Sequence, residues 1–231
     1  MQLRVGTSGY SYKEWKGSFY PTGLDSGQML GYYARHFDTV EINNSFYRMP
    51  NEKMLAQWAA QVPERFVFVL KASRRITHVK RLNGVEDELS YLLNTVGILG
   101  SQLGPMLFQL PPNMKKDTRR LENFLGFLPH RCQAAIEFRN ESWFDPEIFD
   151  AMKHHNVALV CSDTADSVTV RQIATADFGY LRLGRGVYHD RELESWRDFV
   201  KPQPWKAAFI FFKHEAEATG PQLAKRLLKL W

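Results

Sequence analysis

The strongest constraint on what this chain can fold into is a recurrence. Eight short apolar runs end at or near charged, amide or hydroxyl residues, and most are followed by a segment of helical period. The runs are Leu3 to Ser8, Thr39 to Tyr47, Phe66 to Ser73, Pro105 to Leu110, Gln133 to Arg139, Val157 to Asp163, Phe178 to Leu183 and Lys206 to His214. Phe66-Val67-Phe68-Val69-Leu70 is apolar at every position, as a strand covered on both faces must be. Strand and helix alternating at roughly 30-residue spacing is the signature of right-handed βα units in a parallel sheet. Eight such units in 231 residues come close to the ~250 residues of an eight-stranded barrel. The expected fold is therefore α/β, a TIM-barrel-like (β/α)8 ring in one domain over residues 1–231. A doubly wound open sheet is the alternative, but the Gly-x-Gly-x-x-Gly fingerprint it would carry for a dinucleotide is absent.

The intervening segments support that reading. Met29, Leu30, Tyr33 and Phe37 repeat at helical spacing, as do Met54, Leu55, Trp58 and Val62. Leu89, Leu92, Leu93, Val96 and Leu99 form a clear stripe closed by Gly100 and Gly104, and Leu121, Phe124, Leu125 and Leu128 another stopped by Pro129. Asp145 and Pro146 read as an N-cap and first helical residue before Ile148, Phe149 and Met152. Later stripes are Leu193, Trp196, Val200 and Leu223, Leu227, Leu230. Between residues 164 and 176, β-branched residues and scattered Asp disfavour a helix, so an irregular crossover is expected there.

Composition narrows the function classes. A net charge of +5 favours anionic partners or simply aids solubility. No apolar run approaches the ~18 residues of a membrane span, and no signal-peptide pattern precedes the first strand, so no membrane partner and a cytoplasmic location are expected. Cys132 and Cys161 fall toward opposite ends of neighbouring strands, which makes reduced thiols the expected state and a structural zinc site a poor fit. Oligomeric state has no signature in the chain.

In a barrel of parallel strands, catalytic groups project from the C-terminal strand ends and the loops after them. Alternation puts Glu41, Asn43 and Ser45 on one face, and Glu137 with Arg139 on one face. Glu137 is the first candidate for a general acid or base, since an apolar mouth favours the protonated carboxyl, while a nearby Arg139 or Lys71 opposes that shift. Asp163, on the adjacent strand, is the second carboxylate. The two could divide acid and base roles or, as the less favoured reading, hold a divalent cation. Lys71 closes an apolar strand and can clamp an anion or, with a strongly lowered pKa, serve as a Schiff-base amine. The competing view is that Glu137, Arg139 and their neighbours form a buried ion-pair lattice that merely closes the barrel top.

Loops add further candidates. Arg74, Arg75, His78, Lys80 and Arg81 follow Lys71 and form a basic cluster able to bind phosphate, a nucleic-acid backbone included, or a merely solvated loop. Gly6 to Tyr12 combines small residues with Tyr10 and Tyr12, which with Trp15 can wall a pocket, Trp15 being the better candidate for a packing plug. His78, His189 and His214 show no paired metal-ligand spacing, and neither a Gly-x-Ser-x-Gly elbow nor a phosphate-binding Walker loop is present.

Taken together, Gly6-Thr7-Ser8-Gly9-Tyr10-Ser11-Tyr12 with Trp15 and Phe19-Tyr20-Pro21, Val40 to Arg48, Lys71-Ala72-Ser73 with Ile76-Thr77-His78, Phe108 to Pro112, and Glu137-Phe138-Arg139 with Ser142-Trp143 resemble the YecE-like family, domain of unknown function seventy-two. The resemblance spans most of the chain. It implies a TIM-barrel-like fold with a polar mouth and supplies no reaction. Glu41, Lys71, Gln109, Glu137, Arg139 and Asp163 match the family pattern. Lys213-His214 stands where the family ends its last strand in an Asn-Asn type pair, and Arg182-Leu183-Gly184-Arg185 replaces its Arg-x-His-Gly segment.

The functional expectation is an enzyme acting on a phosphorylated or carboxylated small molecule. Glu137 and Asp163 would supply acid/base chemistry, with Lys71 beside them. Arg139, Lys71 and Arg182 would hold the anion, Glu41, Asn43 and Gln109 would orient the substrate by hydrogen bonds, and Tyr10, His78 and Lys213 are further substrate-binding candidates. Alternatives are a metal-dependent, nucleic-acid-binding phosphodiesterase-like protein and a non-catalytic ligand-binding barrel.

Overall fold

A computed structural model describes residues 1–129, 132–164, 173–214 and 216–231. The strands are β1 (Gln2–Thr7), β2 (Thr39–Ile42), β3 (Val67–Lys71), β4 (Leu103–Gln109), β5 (Ala134–Glu137), β6 (Ala158–Leu159), β7 (Cys161–Thr164), β8 (Phe178–Gly184) and β9 (Ala207–Phe212). All pair in parallel, in two ladders ordered β2-β3-β4-β5-β6 and β1-β9-β8-β7. The ladders meet at two seams. At one, the chain from β6 to β7 breaks at Val160, so its first half pairs with β5 and its second with β8. At the other, Ser8 and Glu41 form a parallel bridge, and the Gly9 N–H donates to the Glu41 carbonyl at 2.7 Å. Eight strand positions thus form a TIM-barrel-type ring whose ladder is interrupted and not continuous. The β1–β2 seam is tight: a Cβ on Gly6 would lie 2.3 Å from the Thr39 carbonyl oxygen, a contact only glycine avoids.

Helices α1 (Met29–Tyr33), α2 (Asn44–Tyr47), α3 (Glu52–Ala59), α4 (Glu86–Val96), α5 (Thr118–Gly126), α6 (Pro146–His154), α7 (Asp190–Val200) and α8 (Thr219–Leu230) punctuate the strands. Their starts obey local chemistry. Asn51 accepts from the Met54 N–H, Asp117 from Arg120, and Asp145 from Glu147 ahead of Pro146, each satisfying an N–H that the first helical turn leaves unpaired. Leu89, Leu92 and Val96 bury the α4 stripe, while Leu99 falls in the following 3-10 segment, Gly97–Gln102, which Gly100 kinks with a positive φ of 52°.

Alternation along the strands divides the core. Val67, Val69, Leu107, Ala135, Ala158, Val160, Phe178, Tyr180, Phe209 and Phe211 pack inside the ring, whereas Phe68, Leu70, Phe108, Ile136, Leu181, Leu183, Ile210 and Phe212 pack outward with the helix stripes. This parity decides which side chains can reach the mouth.

Two expectations are corrected. The run Thr39 to Tyr47 is not one strand: β2 ends at Ile42, Asn43 turns into the helical region (φ −95°, ψ −21°), and α2 follows. Ser45 therefore leaves the face of Glu41 and donates instead to the carbonyls of Ile42 (3.0 Å) and Lys71 (2.6 Å). Val157 to Asp163 is likewise two strand pieces. Of the expected irregular crossover over 164–176, residues 165–172 lie outside the described residues. Residues 173–176 carry no regular element, and Thr175 Oγ1 accepts from the Leu159 N–H and donates to the Val157 carbonyl, both at 2.7 Å.

Candidate active site

The inward parity of five strands brings Glu41, Lys71, Gln109, Glu137 and Arg182 to the C-terminal end of the ring. Arg182 is their centre. Its Nε and Nη2 reach the two oxygens of Glu41 at 3.0 and 2.9 Å, and its Nη1 reaches Glu137 at 2.6 Å. Glu41 also accepts from Ser8 Oγ (2.5 Å) and the Tyr180 hydroxyl (2.6 Å), and Asn43 donates to both Ser8 (2.7 Å) and Glu41 (3.3 Å). Arg139 donates to Glu137 at 2.9 Å. Glu41, Glu137 and Arg182 are almost wholly inaccessible, at 0%, 1% and 2% exposure. So deep a cluster persists only because each charge meets opposite charge and directed hydrogen bonds.

The electrostatics follow from this geometry. Burial opposes ionisation of Glu41, but the Arg182 charge and hydrogen bonds from Arg182, Ser8 and Tyr180 outweigh it and hold the carboxyl below its ordinary range. Glu137 is likewise penalised by burial and held low by Arg182 and Arg139. Of the two opposing influences expected on Glu137, the guanidinium charges outweigh burial and favour the carboxylate, which suits a base better than an acid.

Among the described residues, Glu41 and Glu137 pair with Arg182 and Arg139, and Lys71 is a further cation at the same end of the ring. Among the described residues its ammonium has no carboxylate within ion-pair distance. It donates to Gln109 Oε1 at 2.7 Å and lies 4.2 Å from the centre of the Phe46 ring. Burial, reinforced by Arg182 and partly countered by Glu137 and Glu41, pulls its pKa down to about 8. The next turn, Arg75–Val79, is a π-helical segment, a geometry that often accompanies functional sites. It sets the His78 ring edge-on to Phe46 at 4.9 Å, with Thr77 Oγ1 2.9 Å from Nδ1. Burial and the nearby Lys71 and Arg139 charges lower the His78 pKa.

The remaining candidates separate. Asp163 is not beside Glu137. On its strand, Ala158, Val160 and, in register with Arg182, Ser162 face inward, so Asp163 shares the outward face with Leu183. There it accepts from Arg185 Nε (2.7 Å) and the Tyr188 hydroxyl (3.0 Å), and Arg185 continues to Glu192 at 2.8 Å. The expected Glu137–Asp163 pairing, as acid and base or as metal ligands, is thereby corrected: a single step along a strand exchanges its faces. Among the described residues no three His, Cys, Asp or Glu gather closely enough to hold a metal ion. Lys213, exposed, follows β9 on the inward parity of Phe209 and Phe211. Tyr10 lines a small cavity of about 170 Å³ with Tyr12, Asn43 and Trp58, next to the ring, while Trp15 is fully buried as a plug. In the basic loop, Arg75 and Lys80 clasp Glu88 at 2.7 and 2.8 Å and Arg81 reaches Asn113 at 3.3 Å. Both thiols are free, and burial pushes Cys132 up to about 11 and Cys161 up to about 12.

Tyr180, Ser8 and Phe46 complete the site without having been singled out for it. Tyr180 stands two residues before Arg182, and that spacing alone places both on one face.

The profile of the family described as "Protein of unknown function DUF72" matches residues 4–231. The chain belongs to the DUF72 family. It is similar to the UPF0759 protein YunF of Bacillus subtilis, 25% identical with 99% of this chain and 94% of that protein covered. It is also similar to the UPF0759 protein YecE of Escherichia coli, 28% identical over 62% of this chain and half of that protein. A solved DUF72 family protein of Thermotoga maritima superposes with a TM-score of 0.87, at 26% identity, covering 99% of this chain and 100% of the other. No helix among the described residues is long and apolar enough to cross a membrane.

Proposed function

We propose that the mouth binds a small phosphorylated or carboxylated metabolite, held by Lys71 and Arg139, and that Lys71 is the group that exchanges protons with it. The observation that carries this reading is the position of Lys71: among the described residues Glu41 and Glu137 are paired with Arg182 and Arg139, and Lys71 stands without a carboxylate partner, bonded to the neutral Gln109 amide. An incoming anion supplies the missing counter-charge, and a desolvated ammonium attracts it more strongly than a hydrated one would. An amine of pKa near 8 exists in both protonation states under ordinary conditions, as acid/base catalysis requires. Glu137, its pKa held low by the two guanidiniums, acts in this scheme as a negative charge that orients Arg139 and Arg182.

A small anion is favoured over a nucleic-acid backbone because two of the four Arg and Lys side chains of the 74–81 loop, Arg75 and Lys80, already clasp Glu88. The test is thermal shift and calorimetric titration with inorganic phosphate and a panel of small phosphorylated and carboxylated metabolites. Saturable binding raises the melting temperature, and at a hundredfold excess over Kd the stabilisation is about 2.7 kcal/mol. The response should be lost in Lys71→Ala and weakened in Arg139→Ala. Equal binding by both variants, or binding only of oligonucleotides with a steep salt dependence, overturns the reading.

A further inference from the structure

We infer that Lys71 is a nucleophile that captures a carbonyl group of the bound anion as an imine, so that the substrate class is an anionic aldehyde or ketone. This rests on the anion-binding reading above and goes beyond it. A proton carrier needs only a titratable group, whereas imine formation asks for a neutral amine on a fixed stem, screened from carboxylates that would keep it charged and flanked by a group that can hydrogen-bond the tetrahedral adduct. Lys71 meets each requirement. Its stem leaves the last residue of β3, so the backbone end is fixed by the ladder to β4. Its Nζ rests over the Phe46 ring at 4.2 Å, and its hydrogen bond goes to a neutral amide, Gln109, at 2.7 Å. Among the described residues the carboxylates nearby, Glu41 and Glu137, are engaged by Arg182 and Arg139. Burial and the guanidinium charge also hold the amine at a pKa of about 8, so near that pH its neutral fraction exceeds that of an ordinary lysine by roughly a hundredfold.

The step balances without a further reactant. The Nζ lone pair forms the N–C bond while the carbonyl π pair moves to oxygen. Proton transfer from nitrogen to that oxygen gives the carbinolamine, and loss of the hydroxyl with the second N–H proton leaves C=N and one water. Gln109 is placed to accept from the adduct's N–H or O–H.

The experiment uses two anionic aldehydes, glyoxylate and pyridoxal 5′-phosphate, beside their carbonyl-free counterparts glycolate and pyridoxine 5′-phosphate. Full-length protein is incubated with each aldehyde and reduced with borohydride, which converts C=N to a stable secondary amine, and the labelled peptide is mapped by mass. The expected result is labelling of Lys71 at least about tenfold faster than of any other lysine near pH 8, abolished in Lys71→Arg. If the carbonyl-free anions bind wild-type protein with an Arg139-dependent affinity while Lys71 stays unlabelled, the imine is refuted and the anion site stands. If no anion binds, the anion reading falls and the imine with it. Labelling spread evenly over the lysines also refutes the proposal.

Discussion

Replacing Arg182 by Met keeps much of the side-chain volume and deletes the one cation shared by two buried carboxylates. The loss is unequal. Glu137 keeps Arg139 at 2.9 Å, whereas among the described residues the hydrogen-bond partners left to Glu41 are all neutral: Ser8, Tyr180 and Asn43. Removing one partner of a buried ion pair typically costs about 3–5 kcal/mol, because a desolvated charge is left behind. Since one carboxylate is stranded and the other still paired, about 4 kcal/mol is expected for Arg182→Met, a fall of about 10 °C in Tm for a chain of this size. Urea unfolding followed by tryptophan fluorescence measures it, with an unchanged slope required for a two-state comparison.

The pH dependence is the sharper test. In the wild type, the lowered carboxyl pKa values contribute stability that is present above their unfolded values, near 4.3, and lost as pH falls through the folded ones. In the variant, burial without a cation raises the folded pKa of Glu41 above its unfolded value, so acid relieves the penalty. The two stability curves should therefore converge as pH drops from about 7 to about 4. Adding Glu41→Gln removes the stranded charge and should recover more than half of the loss. A variant within about 1 kcal/mol of wild type near neutrality, or a deficit that stays flat into acid, refutes the account of Arg182 as the electrostatic keystone.

Three further outcomes follow from the same geometry. Lys71 has a folded pKa lowered to about 8, so its charge opposes folding below that pH and the opposition fades as pH rises toward the unfolded value. Lys71→Met should stabilise the protein by about 1–3 kcal/mol near neutrality and flatten the rise in stability between about pH 8 and 10, checked by denaturant titration across that range. Gly6→Ala forces β1 away from the Thr39 carbonyl and should cost about 1–3 kcal/mol, with faster hydrogen exchange at the Gly9 N–H that closes the β1–β2 seam, read by NMR. Asp163→Asn should leave anion affinity in the mouth unchanged by calorimetry, since its carboxylate faces Arg185 and Tyr188 outside the ring. A loss comparable to that of Lys71→Ala would show that the two faces are coupled.

How far the sequence announced this site depends on how each strand ends. Phe66 to Leu70 is uniformly apolar and then meets Lys71, in unbroken register with β2 as far as Leu70, although the ladder to β4 shifts between Phe68 and Leu70. Glu137 and Arg139 sit two apart after apolar residues, and Phe178 to Leu183 carries Arg182 at its end. In these cases counting in twos from the apolar interior leads directly to the mouth. The eight-fold recurrence of such runs made the ring legible, and residues from much of the chain carried the family resemblance. Asp163 failed because the strand breaks at Val160 and passes between ladders. The last charged residue of a run then reads as its tip, although the inward parity of Ala158 and Val160 points to Ser162. Ser45 failed for a related reason: period two was extended past Ile42 into residues that coil.

The pairing of charges was less legible than their position, because it depends on distances across the ring. Arg182 and Glu41 are 141 residues apart in the chain, and no local pattern signals that one guanidinium serves two carboxylates. That pairing sets the character of the mouth. Facing an apolar wall, Glu137 would favour the protonated form; facing two guanidiniums it is a counter-ion, and in the proposed scheme the proton that moves belongs to Lys71. A closed lattice and a working site are thus not competing descriptions of this mouth. The lattice holds Arg139 and Arg182 against Glu41 and Glu137, and leaves the half-buried Lys71 amine beside it without a carboxylate partner among the described residues. The charge inventory of the ring then argues for chemistry at Lys71 and for support at Glu41, Glu137 and Arg182.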